Sequence, residues 1–160
     1  MSEQSSPAPV GFAPEEMLTA EPTRSARLKW VVVVDERLPA GRAANAVICV
    51  AAATSANVIG LLGQDVKDAD GGTHPGLPWA GCSVLAAAGG RLAAIRARAA
   101  ASAGVFVADM PGHAQRTRVY DDYLDQVARS GAEDLDYSAI SLVGPRNRID
   151  KLTKGLSLLP

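Results

Sequence analysis

Residues 30–35 read WVVVVD, an apolar, β-branched run with no charged side chain before its last position. Successive side chains of a strand point to opposite faces of its sheet, so this run leaves neither face suited to water. It predicts a central strand covered on both sides, which restricts the fold to a sheet held between other layers. A chain of 160 residues can build one such domain with a true core, and is too short for two of ordinary size. Only 4% of the residues are aromatic. Small aliphatic side chains must then fill the core, which lets helices lie close to the sheet.

The rest of the chain reads as alternating strands and helices. A turn at Leu38-Pro39-Ala40-Gly41 leads into a helix over residues 42–58 that is apolar on nearly every face. Such a helix predicts burial between the sheet and a second layer, with a partner subunit as one candidate cover, so a homodimer is expected. The uncharged stretch 43–62 is interrupted by Asn45, Thr54, Ser55 and Asn57 and reads as a core helix running into a turn, not a membrane span. Residues 61–79 are irregular and rich in Gly and Pro, with a short hairpin expected around 61–69. A strand at 82–86 and a helix at 90–101 follow, with Leu92 and Ile95 inward and Arg91, Arg96 and Arg98 facing solvent. Next come a strand at 105–109, a single helix at 115–129 with Val119, Tyr123 and Val127 on one face, and a strand at 137–143. Gly144-Pro145 opens a last helix that Gly155 closes. This order predicts an α/β fold with a mixed, mostly parallel sheet and helices on both faces. The domain spans residues 28–160. Residues 1–27, with Ser5, Ser6, Pro7, Pro9, Pro14 and Pro22, read as a tail that is mobile or only docked, with room for one helical turn at 14–18.

Several function classes lose support at this level. A net charge of -1 and a pI near 6.1 give no backing to a nucleic-acid partner, although a local basic patch is compatible with them. Cys49 and Cys82 lack clamp or redox spacing and read as buried thiols. The acidic, Pro/Ser-rich start is unlike a secretory signal, so a cytoplasmic location is expected. There is no P-loop, no Gly-x-Gly-x-x-Gly after a strand and no Gly-x-Ser-x-Gly, and no cofactor is expected. His74 lies in a loop with Asp65, Asp68 and Asp70, but Val66 interrupts the alternating oxygen pattern of a calcium loop, and no metal is expected.

Three stretches together resemble the type II peptidyl-tRNA hydrolase family. They are residues 29–53, the strand at 105–109 ending in Asp109, and the closing LVGPRNRIDKLTKGLSLL, with Gly144-Pro145, Ile149-Asp150, Thr153, Gly155 and Leu156 in the family's pattern. The match is closer to a bacterial relative of that family, the domain of unknown function numbered two thousand, through KWVVVVDE, DADG..HPGLPW and GPRNRIDKL. The resemblance implies a peptidyl-tRNA hydrolase II-like fold and hydrolysis of an acyl ester or amide such as aminoacyl-tRNA. The site positions depart from the hydrolases. Their Gly-Lys-Gly-Lys turn reads Gly41-Arg42-Ala43-Ala44 here, and their usual Gln and His fall at Ile48 and Ala51. The Ala-Gly-Arg-Thr that follows their Asp is replaced by Met110-Pro111-Gly112-His113, with Ala-Gln-Arg-Thr only at 114–117.

Two readings follow. In the first, a hydrolase, Asp109 orients the attacking water, Arg42 binds a phosphate or carbonyl oxygen at a helix N-terminus, and His113 or Thr117 completes the set. His74, Arg146 and Lys151 would bind the substrate, a small molecule or an acyl-tRNA-like ligand. In the second, the chain is a non-catalytic, dimeric module that binds a small ligand or partner on the same fold. Asp109 is then a turn former, Arg42 a solvated first-turn residue, and the basic run Arg146, Arg148, Lys151 and Lys154 a solvated face with Arg146 paired to Asp150.

Overall fold

The structure is a computed structural model that describes residues 8–160, so Ser5, Ser6 and Pro7 of the expected tail lie outside the described residues. In chain order the elements are β1 (Leu28–Asp35), α1 (Ala40–Asn57), the short strands β2 (Val66–Lys67) and β3 (Thr73–His74), β4 (Ser83–Ala87), α2 (Gly89–Ala100) and β5 (Phe106–Pro111). They continue with α3 (His113–Arg116), α4 (Tyr120–Ala128), β6 (Tyr137–Pro145), α5 (Arg146–Leu152) and β7 (Ser157–Leu158). The main sheet has the order β5-β6-β1-β4-β7, which places β1 in its centre. Val31, Val32, Val33 and Val34 are each 0% exposed. Burying a side chain of this size stabilises the fold by about 1.5–3 kcal/mol.

The sheet is mixed, but it is not mostly parallel. Among paired neighbours only β1 and β4 are parallel; β6 is antiparallel to both β1 and β5, and β7 is antiparallel to β4. The α3–α4 link after β5 causes this. It contains no buried residue in α4 and does not cross a sheet face as a packed crossover helix. The chain turns back at the end of the sheet where β5 finished, and β6 returns alongside it. The expected single helix at 115–129 is broken for a related reason: Thr117 and Val119, both β-branched, adopt extended backbone between α3 and α4.

Helices cover both faces. Trp30, Val32 and Val34 pack with Ala43, Ala46 and Val50 of α1, whereas Val31 and Val33 pack with Leu92 and Ile95 of α2 and Ile149 of α5. α1 lies across β6, β5 and β1. Its buried stripe is Ala43, Ala46, Val50 and Thr54, at helical spacing, and the opposite face, including Ile48 and Cys49, is exposed. Within one chain this helix is therefore buried on one face only; its outer face mixes Ala44, Ala52, Ala53 and Ala56 with polar Arg42, Asn45, Ser55 and Asn57. Cys49 and Cys82 are exposed as well, not buried. The first lies off the α1 stripe and the second just before β4 begins.

A buried polar chain joins the layers. Trp30 Nε1 donates to Ser141 Oγ at 2.8 Å, and Ser141 Oγ lies 2.7 Å from Thr54 Oγ1, which donates to the Val50 carbonyl at 2.6 Å. The described part of the N-terminal stretch is docked on the α1 side. Phe12 is 2% exposed and its ring centroid is 4.8 Å from that of Trp79. Gly11 permits the approach, because a Cβ there would stand 2.7 Å from the Ile59 carbonyl oxygen. Residues Pro14–Glu16 form one 3-10 turn. The expected hairpin exists, but it is β2–β3, pairing Val66 with His74 and Lys67 with Thr73, later in the chain than 61–69.

Candidate ligand cleft and the predicted site residues

Two strands of the sheet are left open on the α1 side. α1 covers β5, β6 and β1, and among the described residues no helix packs extensively over β4 and β7 on that face. The result is an open cleft of about 1130 Å³. Val84 and Ala86 of β4 form its floor, Ala44 and Ile48 of α1 one wall, and Leu158 of β7 the other. Ile48 and Leu158 are 66% and 68% exposed, a high value for side chains of this size. Glu36 and Arg91 supply the charge on its rim. A cleft of this size with apolar walls and few polar groups has the character of a small-molecule site.

None of the residues singled out for hydrolysis lines this cleft. Asp109 sits on β5 opposite Ile140, whose side chain belongs to the α2 side of the core. Its Oδ2 accepts from Arg96 Nε at 2.9 Å, and the Arg96 guanidinium lies 5.6 Å from the centre of the Tyr137 ring. Arg96 thus points at the sheet and not into solvent as its helix position implied. Arg42 stands in the first turn of α1, on the other face, with its carbonyl accepting from Gln115 Nε2 at 2.9 Å. His113 and Thr117 bracket α3, and the Thr117 hydroxyl caps it by donating to the His113 carbonyl at 3.0 Å. Nδ1 of His113 is buried without a partner. Asp109 thus lies on the α2 face of the sheet, and Arg42 on the helix that packs against the other face.

Sequence reasoning missed a pair of ion pairs at the C-terminal end of β1. Asp35, 8% exposed, accepts from Arg37 through Nε at 3.1 Å, Nη2 at 2.8 Å and the backbone N–H at 3.0 Å. Asp136 accepts from both terminal nitrogens of Arg116, at 3.2 and 3.1 Å. The guanidinium in each pair holds its carboxyl below the usual range, against an opposing effect of burial. Both carboxylates are committed to arginine, and this end of the sheet is a brace. Alternating acid and base two residues apart, Asp35 and Arg37, was the only signal for it in the sequence.

The expected substrate-binding residues are scattered. His74 Nε2 lies 3.0 Å from Asp68 Oδ2, closing the β2–β3 hairpin. Arg146 donates to the carbonyls of Thr23 and Ala26 at 3.3 and 3.4 Å and so touches the N-terminal stretch, not Asp150. Asp150 pairs instead with Lys29 at 2.6 Å, across the end of the sheet. Lys151 shares a shallow recess with Arg98 and Arg148. Among the described residues no group of three or more His, Cys, Asp and Glu side chains is placed to hold a metal ion, and no helix is long and apolar enough to cross a membrane.

A mixed five-stranded sheet with helices on both faces defines a small α/β protein. The sequence pattern of the family described as protein of unknown function, DUF2000, matches residues 28–160, and the chain belongs to that family. Among solved structures it is similar to the protein of unknown function Atu0240 from Agrobacterium tumefaciens strain C58, with a TM-score of 0.76 at 17% identity over 82% of this chain and 97% of that one. At that identity the likeness speaks for the fold alone. No curated protein matches the chain significantly.

Proposed function

We propose that this chain is a non-catalytic binding module that takes a small, mainly aliphatic molecule in the cleft between α1, β4 and β7. The observation that carries the reading is the open floor: Val84 and Ala86 are apolar, belong to the main sheet, are only partly buried and, among the described residues, have no helix packed extensively over them. An apolar ligand there removes water from that floor and from Ile48 and Leu158, and this burial drives binding. Kinship with the peptidyl-tRNA hydrolases belongs to the same proposal. It rests on the order of motifs in residues 29–159, and it concerns the scaffold. Hydrolysis of an acyl ester or amide draws no support from the arrangement of Asp109 and Arg42 on opposite faces.

The test is a fluorescence titration with phenylnaphthylamine, a neutral apolar probe that brightens on leaving water. Saturable binding is expected for the native chain, with strong loss in Ala44→Trp, which fills the cleft from an exposed position. Equal binding by both proteins would remove the cleft from the account.

A second reading is favoured by one feature. Ile48 on α1 and Leu158 on the edge strand β7 expose apolar surface on adjoining rims of the cleft. A second copy could cover both, giving the expected homodimer. Light scattering after size exclusion separates the readings: a dimer that Ile48→Asp converts to monomer supports subunit burial, and a monomer in both cases leaves the cleft to a small ligand.

A further inference from the structure

At the opposite end of β4 from the brace lies a second, smaller recess of about 210 Å³. It is bounded by the starts of β1 and β4 and by the first residue of α5. Three cationic side chains line it, Arg24, Lys29 and Arg146, and among the described residues no carboxylate does. Their charges are unevenly met. Lys29 is paired with Asp150 at 2.6 Å, whereas neither Arg24 nor Arg146 has an ion-pair partner among the described residues. Arg146 is short of acceptors in a second respect. Its Nη2 reaches two carbonyls only at 3.3 and 3.4 Å, and its Nε is buried with no partner. A guanidinium carries five N–H donors, and leaving one of them buried and unmet is costly. Ser83 adds a hydroxyl to the same lining.

We infer that this recess is a binding site for a tetrahedral oxyanion, inorganic phosphate or the phosphate group of a monoester. The lining of one charge sign inside a concave surface concentrates potential there. Arginine suits the task because its fork matches the spacing of phosphate oxygens. Arg24 approaches from the turn Thr23–Ser25, Arg146 from the head of α5 and Lys29 from β1, so three separate parts of the fold meet at the anion. The volume admits one phosphate group. The site is separate from the apolar cleft, and it stands whether or not that cleft binds an aliphatic ligand.

The experiment is calorimetric titration of the full chain with inorganic phosphate and, in a second arm, with glycerol phosphate, in chloride buffer of matched ionic strength. Arg24→Gln and Arg146→Gln are the test variants, and Arg98→Gln, in the other basic recess, is the control. Arg24 is exposed on a surface turn and its replacement leaves the core untouched. Circular dichroism checks that each variant is folded. Binding in either arm that weakens roughly tenfold in Arg24→Gln, as loss of a charged hydrogen-bond partner implies, and is unchanged in Arg98→Gln, supports the site. Binding in the phosphate arm alone identifies the free ion as the ligand, and in the glycerol phosphate arm alone the monoester. Absence of heat in both arms at millimolar ligand, or binding indifferent to Arg24→Gln and Arg146→Gln, overturns it.

Discussion

Arg96 Nε and Asp109 Oδ2 meet at 2.9 Å on the α2 side of the sheet, with the guanidinium lying over Tyr137. The pair uses the one acid that the family resemblance marked for catalysis, and it uses it to hold α2 against β5. Asp109→Asn should therefore cost about 1 kcal/mol of stability, the scale of a partly exposed charged hydrogen bond. Arg96→Met should cost a similar amount, and the double variant less than the sum. Urea unfolding of the four proteins measures this. A loss of aminoacyl-ester hydrolysis in Asp109→Asn, with stability unchanged, would restore the catalytic role.

The chain Trp30–Ser141–Thr54 ties β1, β6 and α1 in the core. In Ser141→Ala the Trp30 N–H loses its acceptor while staying buried. An unmet buried donor costs about 1–3 kcal/mol. The urea midpoint should fall accordingly, with the slope unchanged. A midpoint equal to that of the native chain would mean that the Trp30 N–H finds another acceptor.

Docking of the N-terminal stretch should be acid-sensitive. Glu16 accepts from Arg27 and from the backbone N–H of Ala13, and these bonds lower its pKa from 4.5 to about 2. A carboxyl whose folded pKa is depressed contributes fully above its unfolded pKa and loses that contribution as pH falls towards the folded value. The contact should therefore weaken between pH 4.5 and about 2. Trypsin cleavage is unsuited to that range, so pepsin at pH 3 is the measurement: release of the stretch should be faster in Arg27→Gln. Equal rates would show that the ion pair does not hold the segment.

Gly11→Ala should undock the same stretch at neutral pH. The added Cβ would meet the Ile59 carbonyl oxygen, an atom of the backbone that cannot step aside as a side chain can. Phe12 then leaves Trp79, and the emission of Trp79 should move to longer wavelength. No shift would mean that the bridge between Gly11 and Ile59 relaxes without releasing Phe12.

The strands β1, β4, β5 and β6 and the two long helices were legible in the sequence because their signals are local, whereas the two-residue β7 carries no such signal. WVVVVD placed β1, the Leu92/Ile95 spacing oriented α2, and Pro145 and Gly155 bounded the last helical segment, with Gly155 at φ +79. Strand direction was not legible. It depends on whether a connection crosses a face or returns at the same end, and α4 looked like a crossover helix until its side chains proved unburied. The resemblance located Asp109 on the right strand, but the face it points to depends on the pairing with Ile140, a contact of 31 positions' separation. The cleft was invisible for the same reason: it arises where α1 fails to reach β4 and β7, and no residue announces an absent neighbour.

Amide chemical-shift mapping of the full chain during titration with phenylnaphthylamine locates the ligand residue by residue. Perturbations are expected only at residues around Ala44, Ile48, Val84, Ala86 and Leu158. Perturbations centred on Asp109, or spread over the surface with no cluster at β4, would contradict binding in the cleft.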